Sequence, residues 1–146
     1  MIFSAQQIFS DDQAITVSAD STNVIDLGVA GTPFDAVAAL NRDVGKGNPI
    51  PFLAQVTTTF TAGGAATLVM NISTGATTAL GTTIASTPAI PVATLVAGYQ
   101  AAIQMLPNKI VERYLGVEFV VATGPMTAGN LTAGITMGNQ TNVTGA

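Results

Sequence analysis

Few side chains in this sequence can take part in reaction chemistry. The 146 residues include no histidine and no cysteine, and the charged residues comprise 4 basic and 8 acidic ones. Proton shuttling near neutral pH, nucleophilic attack and metal ligation draw most often on the two absent types. Carboxylates remain. Asp11-Asp12 is the acidic doublet of the chain, and such a doublet can begin a Mg²⁺ or Ca²⁺ site. No third acid lies near it in sequence, so a turn and strand start is the better reading. Asp26 reads as a turn cap. Glu112 and Glu118 invite comparison with the acid pair of glycoside hydrolysis, which needs carboxyl groups ~5–9.5 Å apart. On one strand they would be separated by roughly 20 Å, at ~3.3 Å per residue. Cross-strand pairing or a subunit contact suits Glu112, Arg113 and Glu118 better. Gly28-x-x-Gly31 and Gly45-x-Gly47 lack the strand before, the helix after and the Lys-Ser/Thr that a phosphate loop requires. No catalytic residue, cofactor or metal site is assigned, and the chain is read as a non-enzyme.

The bulk numbers narrow the partners. Charged residues make up 8% of the chain, against roughly 25% in an average domain, and mean hydropathy is +0.50. A surface built from Thr, Ser, Asn and Gln with apolar patches favours association. The net charge is −4, and the cations are Arg42, Lys46, Lys109 and Arg113. That is no basic stripe, so direct binding to nucleic acid is not expected. The longest apolar-biased stretch, residues 90–106, is broken by Pro91, Thr94, Gly98, Gln100 and Gln104. A membrane-spanning helix needs ~20 mostly apolar residues, so no membrane partner is expected. The N-terminal sequence lacks a basic region followed by an apolar run, so it is not read as a secretory signal.

The elements that must carry any site follow a period of two. Alternation marks strands at residues 14–18, 23–27, 50–61 and 67–72, and a short strand is expected near 82–86. β-branched residues dominate these runs, as strands favour. Ala62-Gly63-Gly64-Ala65 reads as a hairpin turn. Residues 109–124 read as one long strand, bulged at Gly116. Val111, Leu115, Val117, Phe119 and Val121 face the core, joined there by Phe52, Val56, Phe60, Leu68, Met70 and Ile72. A loop over 124–129 leads to a last strand at 131–137. Residues 92–105 carry a helical apolar face among Pro88, Pro91, Gly98 and Pro107, and read as a turn or one short helix. Residues 34–40 read as a helical turn. Phe3, Ile8 and Phe9 either pack on their own domain or grip a neighbour. The length fits one domain: an arm at 1–12, a sandwich domain at 13–138 and a polar tail at 139–146. The fold class is all-β, an antiparallel β-sandwich or barrel with an extended N-terminal arm.

Several segments together resemble one family. They are MIFSAQQIFSDDQAIT at the start, STNVIDLG from Ser21, VGKGNPIPFLAQVT from Val44, IPVATLVAGY from Ile90 and ERYLGVEFVVATGPMTAGNLTAGI from Glu112. In order and spacing they are similar to the small cement, or decoration, proteins of tailed-phage capsids, of the type found on a short-tailed Bordetella phage. The match rests on the ensemble, since no segment is a chemical motif. The resemblance implies a jelly-roll-like sandwich on the outside of an icosahedral head. It implies binding across boundaries between major capsid proteins as a small homo-oligomer, dimer or trimer, that locks the shell against internal DNA pressure. It implies no catalytic residues. The chain departs from that pattern at residues 27–44, which look longer than the family's compact loop, and at 75–87.

The expectation is therefore a virion protein of the outer capsid surface, made in the host cytoplasm. Its partners are the major capsid protein and itself. Candidate contacts are Ile2, Phe3, Ile8, Phe9, Arg42, Lys46, Asn48, Glu112, Arg113, Met126 and Asn130. The N-terminal arm is read as removable without loss of the fold. A carbohydrate- or receptor-binding sandwich of a phage structural component is the alternative, opposed by an aromatic content of 5% and no Trp.

Overall fold

The computed structural model describes residues 3–40, 49–108, 110 and 112–138. Among the described residues nine strands follow one another: β1 (Phe3–Ala14), β2 (Ala19–Asp20), β3 (Ile25–Asp26), β4 (Phe52–Ala62), β5 (Thr67–Gly75), β6 (Thr82–Ser86), β7 (Ile90–Pro91), β8 (Tyr114–Ala122) and β9 (Met126–Thr136). All pairings are antiparallel. One sheet has the order β1-β9-β4; the other has the order β2-β8-β5-β6, with β3 also on β8 and β7 also on β5. The sheets pack face to face as an all-β sandwich.

Alternating side chains build the core between them. Leu68, Met70 and Ile72 of β5 and Leu115, Val117 and Phe119 of β8 point inward from one sheet. Phe9, Phe52, Ala54, Val56, Phe60, Met126, Leu131 and Ala133 point inward from the other. The Phe9 and Phe52 rings meet with centroids 6.1 Å apart and tilted by 49°. The inward positions read from the sequence for β4, β5 and β8 are buried, with Val121 half-buried; Val111 lies outside the described residues. Thr58 departs from the β4 alternation and is exposed, because the pairing with β9 shifts register on both sides of it.

Two glycines are fixed by what lies against them. A Cβ at Gly129, where φ is +141°, would stand 2.2 Å from the Phe60 ring. At Gly116 a Cβ would stand 2.6 Å from Leu80 Cδ1 and 3.1 Å from Ser21 Oγ. Gly116 is therefore a point of close approach, not the bulge the sequence suggested: β8 runs in unbroken register with β5 from Tyr114 to Ala122.

Other expectations need correction. The N-terminal segment is extended, but from Phe3 it is a strand of the sandwich, paired with β9. Three register shifts interrupt that pairing, which blurs the alternation in the sequence. Residues 15–18 are not a strand, and Ile15 is fully buried. Strand β9 begins at Met126, five residues earlier than expected, directly after the Gly124-Pro125 turn. β8 begins at Tyr114 rather than near residue 109. Residues 34–40 hold a turn and no helix.

Residues 92–105 form no helix beyond a single 3-10 turn at Val92–Thr94. The chain instead runs antiparallel along the outer edge of β4. Backbone bonds link Phe60 N to Leu95 O, Val56 N to Tyr99 O, Ala101 N to Ala54 O, Phe52 N to Gln104 O and Leu106 N to Ile50 O, each at 2.9 Å. Gly98, at φ +90°, turns the chain so that its N–H reaches Val56 O. Of the apolar residues that suggested a helical face, Leu95 and Leu106 are buried by this irregular strand, Val92, Tyr99 and Ile103 are half-buried, and Val96 is exposed.

Two outcomes follow. Phe119→Ala, at a fully buried position, is expected to lower stability in urea unfolding by about 3–5 kcal/mol; an unchanged midpoint would place the residue wrongly. Deleting residues 1–10 removes most of β1 together with Phe9, so the cooperative thermal transition should be lost. A native-like melt from the truncated protein would mean that β1 is not integral to the sandwich.

Candidate interaction surface

The surface feature with the clearest construction leaves β3. Asp26 ends that strand opposite Tyr114, and Leu27 N donates to Arg113 O at 2.9 Å. Arg113 grips the Asp26 carboxylate with two bonds, Nε to Oδ1 at 2.7 Å and Nη2 to Oδ2 at 2.6 Å. The forked geometry fixes orientation as well as charge. The hydrogen bond to Asp26 raises the Arg113 pKa further, against a smaller opposing desolvation. The guanidinium also lies 5.1 Å from the centroid of the Tyr114 ring. Oδ1 of Asp26 additionally accepts from Gly28 N at 2.8 Å, the turn-capping role its sequence position suggested. With side chains about two-fifths exposed, the pair orients the loop root more than it stabilises the fold.

From this root, residues 27–40 form an apolar loop. Its neck is closed by Leu40 N donating to Gly31 O at 2.9 Å, and its tip by Ala36 N donating to Pro33 O at 3.1 Å. Asp35 at the tip takes φ +63°, an uncommon conformation for a residue with a side chain. Phe34 and Val37 are fully exposed; Val29, Leu40 and Leu27 are exposed beside them. Several exposed apolar side chains on one loop mark an interaction site more often than a single exposed residue does.

A second feature lies at the other end of β8. Val17, Ser18, Val121, Gly124 and Pro125 line an open groove of about 360 Å³. The Ser18 hydroxyl is engaged by the backbone of the neighbouring strand: Val121 N donates to it at 2.9 Å, and it donates to Val121 O at 3.3 Å. Its polar capacity is used internally, which leaves the groove lining apolar.

A hydroxyl-rich area covers the outside of the three-stranded sheet. Thr61 and Thr127 hydroxyls meet at 2.8 Å. Asp12, at φ +49°, accepts from Thr57 Oγ1 through its carboxylate. Its N–H donates to Thr132 Oγ1 at 3.0 Å, and its carbonyl accepts from Asn130 Nδ2 at 3.1 Å. The Asp11-Asp12 doublet thus sits inside a strand irregularity. Among the described residues no group of three or more His, Cys, Asp or Glu is placed to hold a metal ion. No helix among them is long and apolar enough to cross a membrane.

The candidate contacts read from the sequence do not converge on one place. Ile2, Arg42, Lys46 and Asn48 lie outside the described residues. Phe9 and Met126 are buried in the core and are withdrawn as contacts; the apolar face of β1 and the earlier start of β9 turn them inward. Phe3 and Ile8 are half-buried on β1. Asn130 is half-buried toward the opposite end of that ladder, where it pairs with Ala14. Glu112 and Arg113 are half-buried at the root of the apolar loop. The residues that the sequence reading missed are Val29, Phe34, Val37 and Leu40. Their signal was an apolar group with neither a two-residue nor a 3.6-residue period, set among Gly28, Gly31 and Pro33.

Comparison with known proteins gives a family. No curated protein matches the chain. The family model Bbp16 matches residues 9–135, and Bbp16 is the name of a Bordetella phage protein. The matched stretch runs from the middle of β1 to the end of β9 and takes in both sheets, the apolar loop and the groove. On that extent the chain belongs to the Bbp16 family, a family of phage proteins.

Proposed function

We propose that this chain is a capsid cement protein. It binds the outer surface of an icosahedral phage head, at boundaries between major capsid proteins, and stabilises the shell against the pressure of packaged DNA. It acts by contact and not by catalysis. The observation that carries the reading is the Bbp16 family match over residues 9–135, on a chain whose outer surface is hydroxyl and apolar instead of charged. A shell offers the same neighbours many times over. Weak contacts repeated by symmetry gain ~10²–10⁴ in avidity without new chemistry.

The threonine, asparagine and glutamine side chains of the three-stranded sheet supply hydrogen-bonding groups that need no counter-ion. Contacts of this type are little screened by salt, unlike exposed ion pairs. The carbohydrate-binding alternative asks for a platform of exposed rings. Phe34 is the single fully exposed aromatic among the described residues, which does not favour it.

Co-sedimentation of the purified protein with expanded heads that lack it tests this reading. Binding is expected to saturate and to weaken by no more than about threefold between about 0.05 and 0.5 M salt. No binding, or a steep loss of binding across that range, would overturn it.

A further inference from the structure

Loop 27–40 is apolar almost throughout: Thr32 and Asp35 are its only polar side chains. A large apolar group left in water is the exception that asks for a partner. Hydrogen bonds hold this one away from its own core. Asp26 accepts from Gly28 N at the root and is itself gripped by Arg113. Leu40 N donating to Gly31 O closes the neck, and Ala36 N donating to Pro33 O folds the tip. Phe34 and Val37 are left fully exposed there, with Asp35 next to Phe34. We propose that the loop is a plug for the shell: Phe34 seats in an apolar socket of the major capsid protein, and a lysine or arginine at the socket rim meets Asp35. The inference rests on the cement reading above and names the element that makes the contact.

Charge and area select that occupant over a second copy. Among the described residues Arg113 is the one cation, and its guanidinium already holds the carboxylate of Asp26. That leaves no unpaired base on the described surface for Asp35 of another copy. Burying Phe34 removes about 150–250 Å² from water. With Leu27, Val29, Val37 and Leu40 beside it, the loop can bury on the order of 500 Å². A stable pair of free proteins needs roughly 800 Å² from each partner. The loop alone falls short of that, but it suits a shell, where the same contact recurs at every site and repetition supplies the rest. A lipid surface is disfavoured because loop 27–40 contains no lysine or arginine to meet anionic headgroups. Neck and tip are already hydrogen-bonded, so little ordering is left to oppose seating.

Co-sedimentation of the purified chain with expanded heads that lack it reads the contact, at about 0.05 M salt and again at about 0.5 M. Phe34→Ala is expected to weaken binding roughly 30-fold or more, the scale of a buried aromatic anchor. Asp35 takes a positive φ, which asparagine also tolerates, so Asp35→Asn keeps the turn and removes the charge. It should weaken binding about threefold at the lower salt, with the difference fading at the higher. Both side chains are exposed, and thermal melts of both variants should match wild type. Because the chain has no cysteine, Val37→Cys can carry a benzophenone label at one defined place. Illumination on the heads should join this chain to the major capsid protein. Heads that bind wild type and Phe34→Ala equally well overturn the plug and leave the cement reading standing. Crosslinks formed only between copies of this chain overturn it too, by giving the loop to a second copy. Heads that bind no wild-type chain overturn both.

Discussion

A β-sandwich must satisfy the backbone groups along the edges of its sheets, and most proteins guard those edges with charge. This chain has few charges to use. It covers its edges with its own backbone and hydroxyls. The outer edge of β4 is lined by residues 95–106, hydrogen-bonded along nearly its whole length. The outer edge of β8 takes β2 and β3 end to end, and two serines fill in where those short strands stop. Ser21 Oγ accepts from Val117 N at 3.1 Å, and Ser18 Oγ from Val121 N at 2.9 Å. The outer edge of β5 takes β6 and β7 in the same way. On β1, Asn23 N donates to Phe9 O at 2.9 Å, and the Gln13 side chain bridges Ser10, Asp20 and Thr22.

That closure shapes what the surface can do. Strand addition, in which a partner extends a sheet edge, is blocked along β4, β5 and β8, whereas β6 and the Phe3–Gln7 stretch of β1 are edge strands with no further strand beside them among the described residues; side chains on faces and loops offer the remaining contacts. Two kinds of side chain are available there. The threonine-rich face outside β4 and β9 offers hydroxyls held in register by the ladder beneath. The 27–40 loop offers aliphatic and aromatic groups on a root oriented by the Arg113–Asp26 pair. Both are consistent with association by contact, and neither resembles a reaction centre.

Much of the sandwich was legible in the sequence, for a physical reason. β4, β5 and β8 each turn one face to the core, and the alternation in their sequences follows from that. β1 was hidden because its pairing with β9 slips three times, and the Asp11-Asp12 doublet looked like a turn where the structure has an irregular strand. Residues 92–105 misled because Val92, Leu95, Val96, Tyr99, Ile103 and Leu106 fall at helical spacing, although along β4 the chain buries Leu95 and Leu106 and leaves Val96 exposed. Met126 was placed in a loop on the strength of Gly124-Pro125, although the turn is complete before it. The interaction surface was the least legible part. Apolar residues normally signal burial, and nothing local distinguishes Phe34, exposed at a loop tip, from Phe52, buried in a strand. The Arg113–Asp26 contact joins residues 87 positions apart, a separation across which pattern reading has no reach.

The central proposal is that this small, sparsely charged sandwich mechanically secures a phage head. The most direct test is the temperature at which expanded, undecorated heads rupture, measured with and without saturating purified protein. The account predicts a clear upward shift that plateaus once the heads are saturated. Heads that bind the protein yet rupture at the same temperature would contradict it.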